Sequence, residues 1–141
     1  MEHRDPNCAY CGNEAALAQF GIYICELSQT RLYLFKEQSH PGRVIVANKD
    51  HVSDITDLSD EARDRFFADV ARVSRAVKAV FHPDRINYGA YNDKGIHLHY
   101  HLVPKYRDEF EWGGVFAMNP GRVTLSEAEY AEMIEKIKAA L

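Results

Sequence analysis

Between residues 20 and 47 the apolar positions come in short runs separated by polar turns. Residues 20–27 and 31–37 read as two strands, and the link Ser28-Gln29-Thr30 suits a hairpin. Ser39-His40-Pro41-Gly42 is a turn signal. Arg43-Val44-Ile45-Val46-Ala47 follows as a third, largely buried strand that ends near His51. The rhythm then changes. Ser59 is an N-cap, with Asp60 and Glu61 suited to the positive end of a helix. Phe66, Val70, Val73, Val77 and Val80 recur at helical spacing and form one apolar stripe. His82-Pro83-Asp84 stops that helix, because proline cannot continue it. Residues 85–92 read as a strand, 92–95 as a turn and 96–103 as another strand, which predicts an antiparallel pair. A loop rich in Gly, Phe and Trp covers 107–121, and Ser126 with Glu129 forms a capping box for a last helix. Tyr130, Ile134, Ile137 and Leu141 are its apolar stripe. Strands, helix, strands, helix: the order predicts one α+β domain over residues 1–141, with a mostly antiparallel sheet of about five strands, a long central helix and a C-terminal helix.

The strand predicted at 96–103 carries His97, His99 and His101, with Leu98, Tyr100 and Leu102 between them. Side chains alternate across a strand, so the three imidazoles share one face, spaced by roughly 6–7 Å at the backbone. The apolar residues face a core. Imidazole titrates near physiological pH, so such a row suits metal binding, proton transfer or attack on an electrophile. A merely solvated strand face would be served as well by Lys, Thr or Glu.

A length of 141 residues with 46% hydrophobic and 27% charged positions is ordinary for a globular domain. No apolar run is long enough to span a membrane, and the polar start at Met1-Glu2-His3 is unlike a secretory signal; both predict a cytoplasmic protein. The net charge of −4 argues against general binding to nucleic acid, while leaving room for a small anionic ligand in a locally positive pocket. Three cysteines do not make a disulfide framework.

Cys8 and Cys11 have the spacing with which two thiolates grip one zinc, and Gly12 permits the close turn. Structural zinc needs four ligands. Cys25 lies inside a predicted strand and is expected to be buried and inert, so the remaining ligands are histidines: His51 after the third strand and His97 at the head of the histidine run. Zinc on Cys8, Cys11, His51 and His97 would pin the N-terminal turn (residues 1–19) to the sheet. A dithiol redox pair and a metal-free reduced pair are the competing readings, the first lacking its usual βαβ setting. His3, His40 and His82 read as surface or turn residues.

The run from His97 to Val103 resembles the signature of the histidine triad (HIT) superfamily of nucleotide hydrolases and transferases. Asn87-Tyr88-Gly89, Lys49-Asp50-His51 and the Cys8/Cys11 pair, similar to the zinc-binding start of bacterial members, extend the resemblance from about Cys8 to Pro104. The resemblance implies a HIT-like fold, commonly dimeric. It implies that His99 attacks the α-phosphate of a purine nucleotide derivative, such as a dinucleoside polyphosphate or a nucleoside phosphoramidate. A covalent nucleotidyl-histidine then forms and water hydrolyses it. His101 contacts the phosphate, with its protonated form stabilising charge on the oxygens. His97 supports the site and ligates a structural zinc. The substrate-binding set is completed by Asn87, Lys94 and Arg43. Transfer to another acceptor uses the same intermediate, and a non-enzymatic nucleotide- or zinc-binding module is the other reading.

The chain departs from the family pattern in places. The Gly-Gln-Ser element that many members carry before the triad is replaced by Asn92-Asp93-Lys94-Gly95, so the serine hydroxyl that helps the leaving group is missing. Glu37 stands near the place of the aspartate that binds ribose. Trp112, between Glu111 and Gly113 in the loop that opens the C-terminal part (residues 107–141), suits a lid, a stacking platform, a dimer contact or a local anchor.

Overall fold

The computed structural model describes residues 4–94 and 96–141. His3, read above as a surface or turn residue, and Gly95, read as part of a turn, lie outside them. A short helix α1 (Glu14–Ala18) is followed by β1 (Gly21–Glu26), β2 (Thr30–Phe35) and β3 (Val44–Asn48). The long helix α2 (Asp60–Phe81), the strands β4 (Arg85–Gly89) and β5 (His99–Lys105), and α3 (Glu127–Ala140) complete the chain. The sheet order is β1-β2-β3-β5-β4, with every neighbouring pair antiparallel.

The helix signals act as expected. Ser59 Oγ accepts from the Ala62 amide at the start of α2, and Ser126 and Glu129 close a reciprocal capping box on α3. His82 takes the left-handed conformation (φ 52°) at the end of α2, directly before Pro83.

The sheet has two dissimilar faces. One carries Leu32, Leu34, Val44, Val46 and Leu102 against Phe66, Val70, Val73 and Val77 of α2 and Tyr130 and Ile137 of α3. Full burial of each such side chain contributes about 1.5–3 kcal/mol. The other face carries Tyr33, Phe35, Ile45 and Ala47, covered by Tyr10 from the N-terminal segment. β3 has neighbours on both sides and cover on both faces, so all five of its residues are buried. Asp69, buried on α2, accepts from the Gln29 amide (2.8 Å) and Thr30 Oγ1 (2.9 Å), which fastens the hairpin to the helix.

Three expectations shift. The strand predicted for 96–103 is found at His99–Lys105, because the Leu98 amide donates to the Val52 carbonyl (2.7 Å) and not to β3, although the Leu98 carbonyl still accepts from Asn48 at the end of β3 (3.0 Å). β3 stops pairing at Val44↔Leu102, so Pro104 falls where β5 keeps only β4 as a neighbour. β4 ends at Gly89 rather than at 92. Cys25 is half-buried rather than enclosed, since the register shifts between Tyr23 and Cys25 and gives Ile24 the core position; burial still pushes its thiol pKa up.

Candidate active site and metal centre

His97, His99 and His101 line one cavity of about 550 Å³ on the sheet face away from α2 and α3. That volume lies in the range of small-molecule sites. The rings of His99 and His101 are 5.3 Å apart, and Tyr10 lies 5.0 Å from His99 and 5.3 Å from His97. Phe20, Phe35 and Ile45 give the cavity an apolar wall, and Lys94, Asp5 and Asn119 bring polar groups.

Each histidine has one nitrogen committed to a partner with a single hydrogen-bonding role, and this fixes its tautomer. His97 Nε2 lies 2.7 Å from the Asn48 carbonyl and must donate, which leaves Nδ1 as a lone pair. His99 Nδ1 lies 2.7 Å from the His97 carbonyl and must donate, which leaves Nε2 as the free nitrogen. His101 Nδ1 lies 3.1 Å from Arg43 Nη2, a group that only donates, so the neutral His101 ring carries its proton on Nε2. Burial lowers the pKa of all three. His101 is pushed down to about 3, first by desolvation and then by the Arg43 charge. The expectation of a protonated His101 is therefore corrected: it is a neutral imidazole that donates through Nε2.

Arg43 is fully buried, at the head of β3. Its Nη1 donates to Ala117 O (3.0 Å) and its Nη2 to Met118 O (3.0 Å), with the guanidinium over Phe35 (4.1 Å) and near Phe116 (5.0 Å). Among the described residues no carboxylate pairs with it, and burial draws its pKa down to about 10. It does not line the triad cavity; it stands behind His101. Asn87 does not line it either and faces a separate cavity with Arg85 and Trp112. Lys94 does line it.

Other sequence expectations find different partners. Glu37 accepts from the amides of Ser39, Arg122 and Val123, so its carboxylate staples the C-terminal strap rather than facing the triad cavity. His40, read as a surface or turn residue, does lie in the turn before β3 but is buried there, with Nε2 2.7 Å from Glu111 Oε1. Its partner lies 71 positions away, which is why a local reading missed it. Trp112 lines the second cavity beneath Arg107 (5.3 Å), while Phe116 is the loop residue beside His101. Tyr10 was missed as well. Its place between the two cysteines is the signal, since any fold that joins Cys8 and Cys11 to His97 carries that ring along.

Cys8, Cys11, His51 and His97 bring one ligand atom each to within 4.8 Å of one another. Cys8 Sγ to His97 Nδ1 is 3.5 Å, Cys11 Sγ to His97 Nδ1 is 3.4 Å, and Cys11 Sγ to His51 Nδ1 is 3.3 Å. His51 Nδ1 to His97 Nδ1 is 3.0 Å. A tetrahedron with ordinary zinc–sulfur and zinc–nitrogen bonds has edges of roughly 3.3–3.6 Å between these atom types. The three sulfur–nitrogen distances match those edges and the nitrogen–nitrogen distance is about 0.3 Å shorter, so the donor types and their spacing suit zinc, and His97 donates its other N–H to a carbonyl as zinc-ligating histidines do. Gly12, at φ 107°, makes the turn that returns the chain after Cys11.

A model described as the HIT domain matches residues 22–108, and the chain belongs to the HIT domain family. It is 25% identical over 122 residues to "Protein hit" of Bacillus subtilis (strain 168), covering 81% of each chain. Its fold matches a histidine triad protein of Sinorhizobium meliloti 1021 with a TM-score of 0.83 at 19% identity, over 90% of this chain and 94% of that one. It also matches a Zn-bound histidine triad family protein of Mycobacterium smegmatis with a TM-score of 0.66 at 24% identity, over 95% and 92%. Among the described residues no helix is long and apolar enough to cross a membrane.

Proposed function

We propose that the protein is a cytoplasmic nucleotide hydrolase acting at the α-phosphate of a purine nucleotide derivative, through a covalent bond to His99. The observation that carries this reading is the 2.7 Å hydrogen bond from His99 Nδ1 to the His97 carbonyl, on a ring that lines the cavity. It leaves the Nε2 lone pair available for attack, and the lowered pKa keeps the ring neutral at pH 7. Nε2 forms a bond to phosphorus as the bond from phosphorus to the leaving group breaks, and the leaving group departs with that electron pair. The His97 carbonyl faces the positive charge that arises on the ring. His101 Nε2–H, aimed by Arg43, donates to the nonbridging oxygens. Water then cleaves the phosphorus–nitrogen bond, releasing a nucleoside monophosphate and restoring neutral His99. The wall of Tyr10, Phe20, Phe35 and Ile45 suits a flat purine, and Lys94 suits a charged leaving group.

Cys8, Cys11, His51 and His97 would hold zinc as a closed four-ligand staple with no open coordination position. A homodimer fits the sheet, whose outer strand β4 has one edge without a strand partner among the described residues, with Tyr88 exposed beside it.

The test uses a nucleoside phosphoramidate and a dinucleoside polyphosphate as substrates, with release of the monophosphate as the readout. His99→Asn is expected to lose at least about a thousandfold in turnover while still binding nucleoside monophosphate. Mass spectrometry of quenched wild-type enzyme should find the nucleotidyl group on His99. Undiminished turnover by the variant overturns the reading, and binding without turnover by the wild type makes the protein a nucleotide-binding module instead.

A further inference from the structure

The sheet face that holds the histidines carries a second cavity, of about 380 Å³, farther along β4 and β5. Arg85, Asn87, Lys105, Trp112, Gly113 and Gly114 line it, and none of them lines the triad cavity. Phe116 and Tyr91 stand near the boundary. They press so closely on Gly89 that an added Cβ would meet each ring at 2.7 Å.

The chemistry of the lining is one-sided. Arg85 and Lys105 are cross-strand partners, Arg85↔Lys105, so two like charges sit directly opposite each other in a chain of net charge −4. Such pairs are destabilising unless something of opposite sign comes between. Lys105 is only 2% exposed. Its ammonium donates to the carbonyls of Glu111 (2.7 Å) and Gly114 (2.8 Å), which uses two of its three donors. Among the described residues no carboxylate pairs with Lys105, the Asn87 amide has no hydrogen-bond partner, and the lining contains neither Asp nor Glu. Trp112 adds a flat indole wall with the Arg107 guanidinium 5.3 Å from its ring.

We infer that this cavity is a second anion site, which takes the phosphate group of a small phosphorylated ligand. A buried ammonium, a guanidinium across the strand pair and a side-chain amide supply donors from different directions, as a tetrahedral oxyanion accepts them. The space exceeds a bare phosphate and leaves the indole free to cover the rest of the ligand.

Trp112 is the chain's single tryptophan and lines this cavity, so its emission reports on it. The full-length protein is titrated at constant ionic strength with inorganic phosphate, and separately with adenosine monophosphate. A saturable change in emission is expected. It should weaken at least tenfold in Arg85→Gln and in Asn87→Ala, both of which leave the Lys105 contacts to the loop in place. It should persist in His99→Asn. Tighter binding of the nucleotide than of phosphate would support the site with the indole as part of it, and equal binding would support it as a reader of phosphate alone. No saturable change, the same change with chloride, or loss of the response in His99→Asn alone would each overturn the inference. Failure here leaves the His99 chemistry untouched, since no lining residue is shared.

Discussion

His97 and His99 stand two residues apart in one short stretch, yet they belong to different chemistry. His97 gives its Nε2–H to a main-chain oxygen and turns Nδ1 toward two sulfurs and a second imidazole. His99 does the reverse, giving Nδ1–H to a main-chain oxygen and keeping Nε2. On the proposed reading the same ring is a metal ligand in one place and a nucleophile in the other. What separates them is which nitrogen the backbone claims, and that depends on a carbonyl's position rather than on the residue's identity.

The comparison can be broken first at the metal end. Metal analysis of purified protein should find close to one zinc per chain, and Cys8→Ser or Cys11→Ser should abolish it. A metal held at a thousandfold over its Kd contributes about 4 kcal/mol, so thermal unfolding of these variants should fall by on the order of 10 °C. A wild-type protein that is metal-free and equally stable would remove the metal half of the contrast.

Arg43 offers the next break. Arg43→Met removes the donor that fixes His101, and turnover should drop about a hundredfold with little change in KM. NMR titration should show the His101 pKa rising from about 3, though not to its ordinary value, because burial is the larger cause of its depression. A variant with wild-type turnover and an unmoved His101 would show that the contact is incidental.

Asp69→Ala sharpens the comparison from the opposite face. It strips the acceptor from Gln29 and Thr30 and should cost about 1–3 kcal/mol in chemical denaturation, without changing KM. Acid supplies a related test. His101 binds fewer protons folded than unfolded between its folded pKa of about 3 and its unfolded value near 6.5, so stability rises with pH across that window. Stability should therefore be lost progressively as pH falls below about 6.5, and a flat profile from 6.5 to 4 would contradict the depressed pKa. The smallest effect belongs to Lys94, exposed at the cavity. Lys94→Ala should raise KM by no more than about fivefold and leave kcat unchanged, as measured by steady-state kinetics.

The sequence made α2, the hairpin and the cysteine turn legible because each signal is local. A stripe at helical spacing, an N-cap and two thiols three positions apart need no knowledge of the rest of the chain. Ligand count asked for two histidines beside those thiols, and the places of His51 after the third strand and His97 at the head of the histidine run, together with the HIT resemblance, singled them out. Contacts across the sheet followed less well. Asn87 shares a face with His101, but the register Gly89↔His101 puts it two residues too far along to reach the triad cavity. His40 and Glu111, or Arg43 and His101, meet only because β3 lies beside β5, and nothing near them in sequence signals it. The histidine strand starts three residues and ends two residues later than predicted, and its late start has the same origin, since Val52 takes the Leu98 amide.

The acceptor for His99 is the peptide oxygen of residue 97, and every amino acid has one. Replacing the thiols, or even the imidazole at 97, would leave that oxygen in the chain. If the proposed roles hold, metal and chemistry are separable by inheritance: a lineage could lose the ligands at positions 8, 11 and 51 by drift and still pass on the oxygen that orients His99.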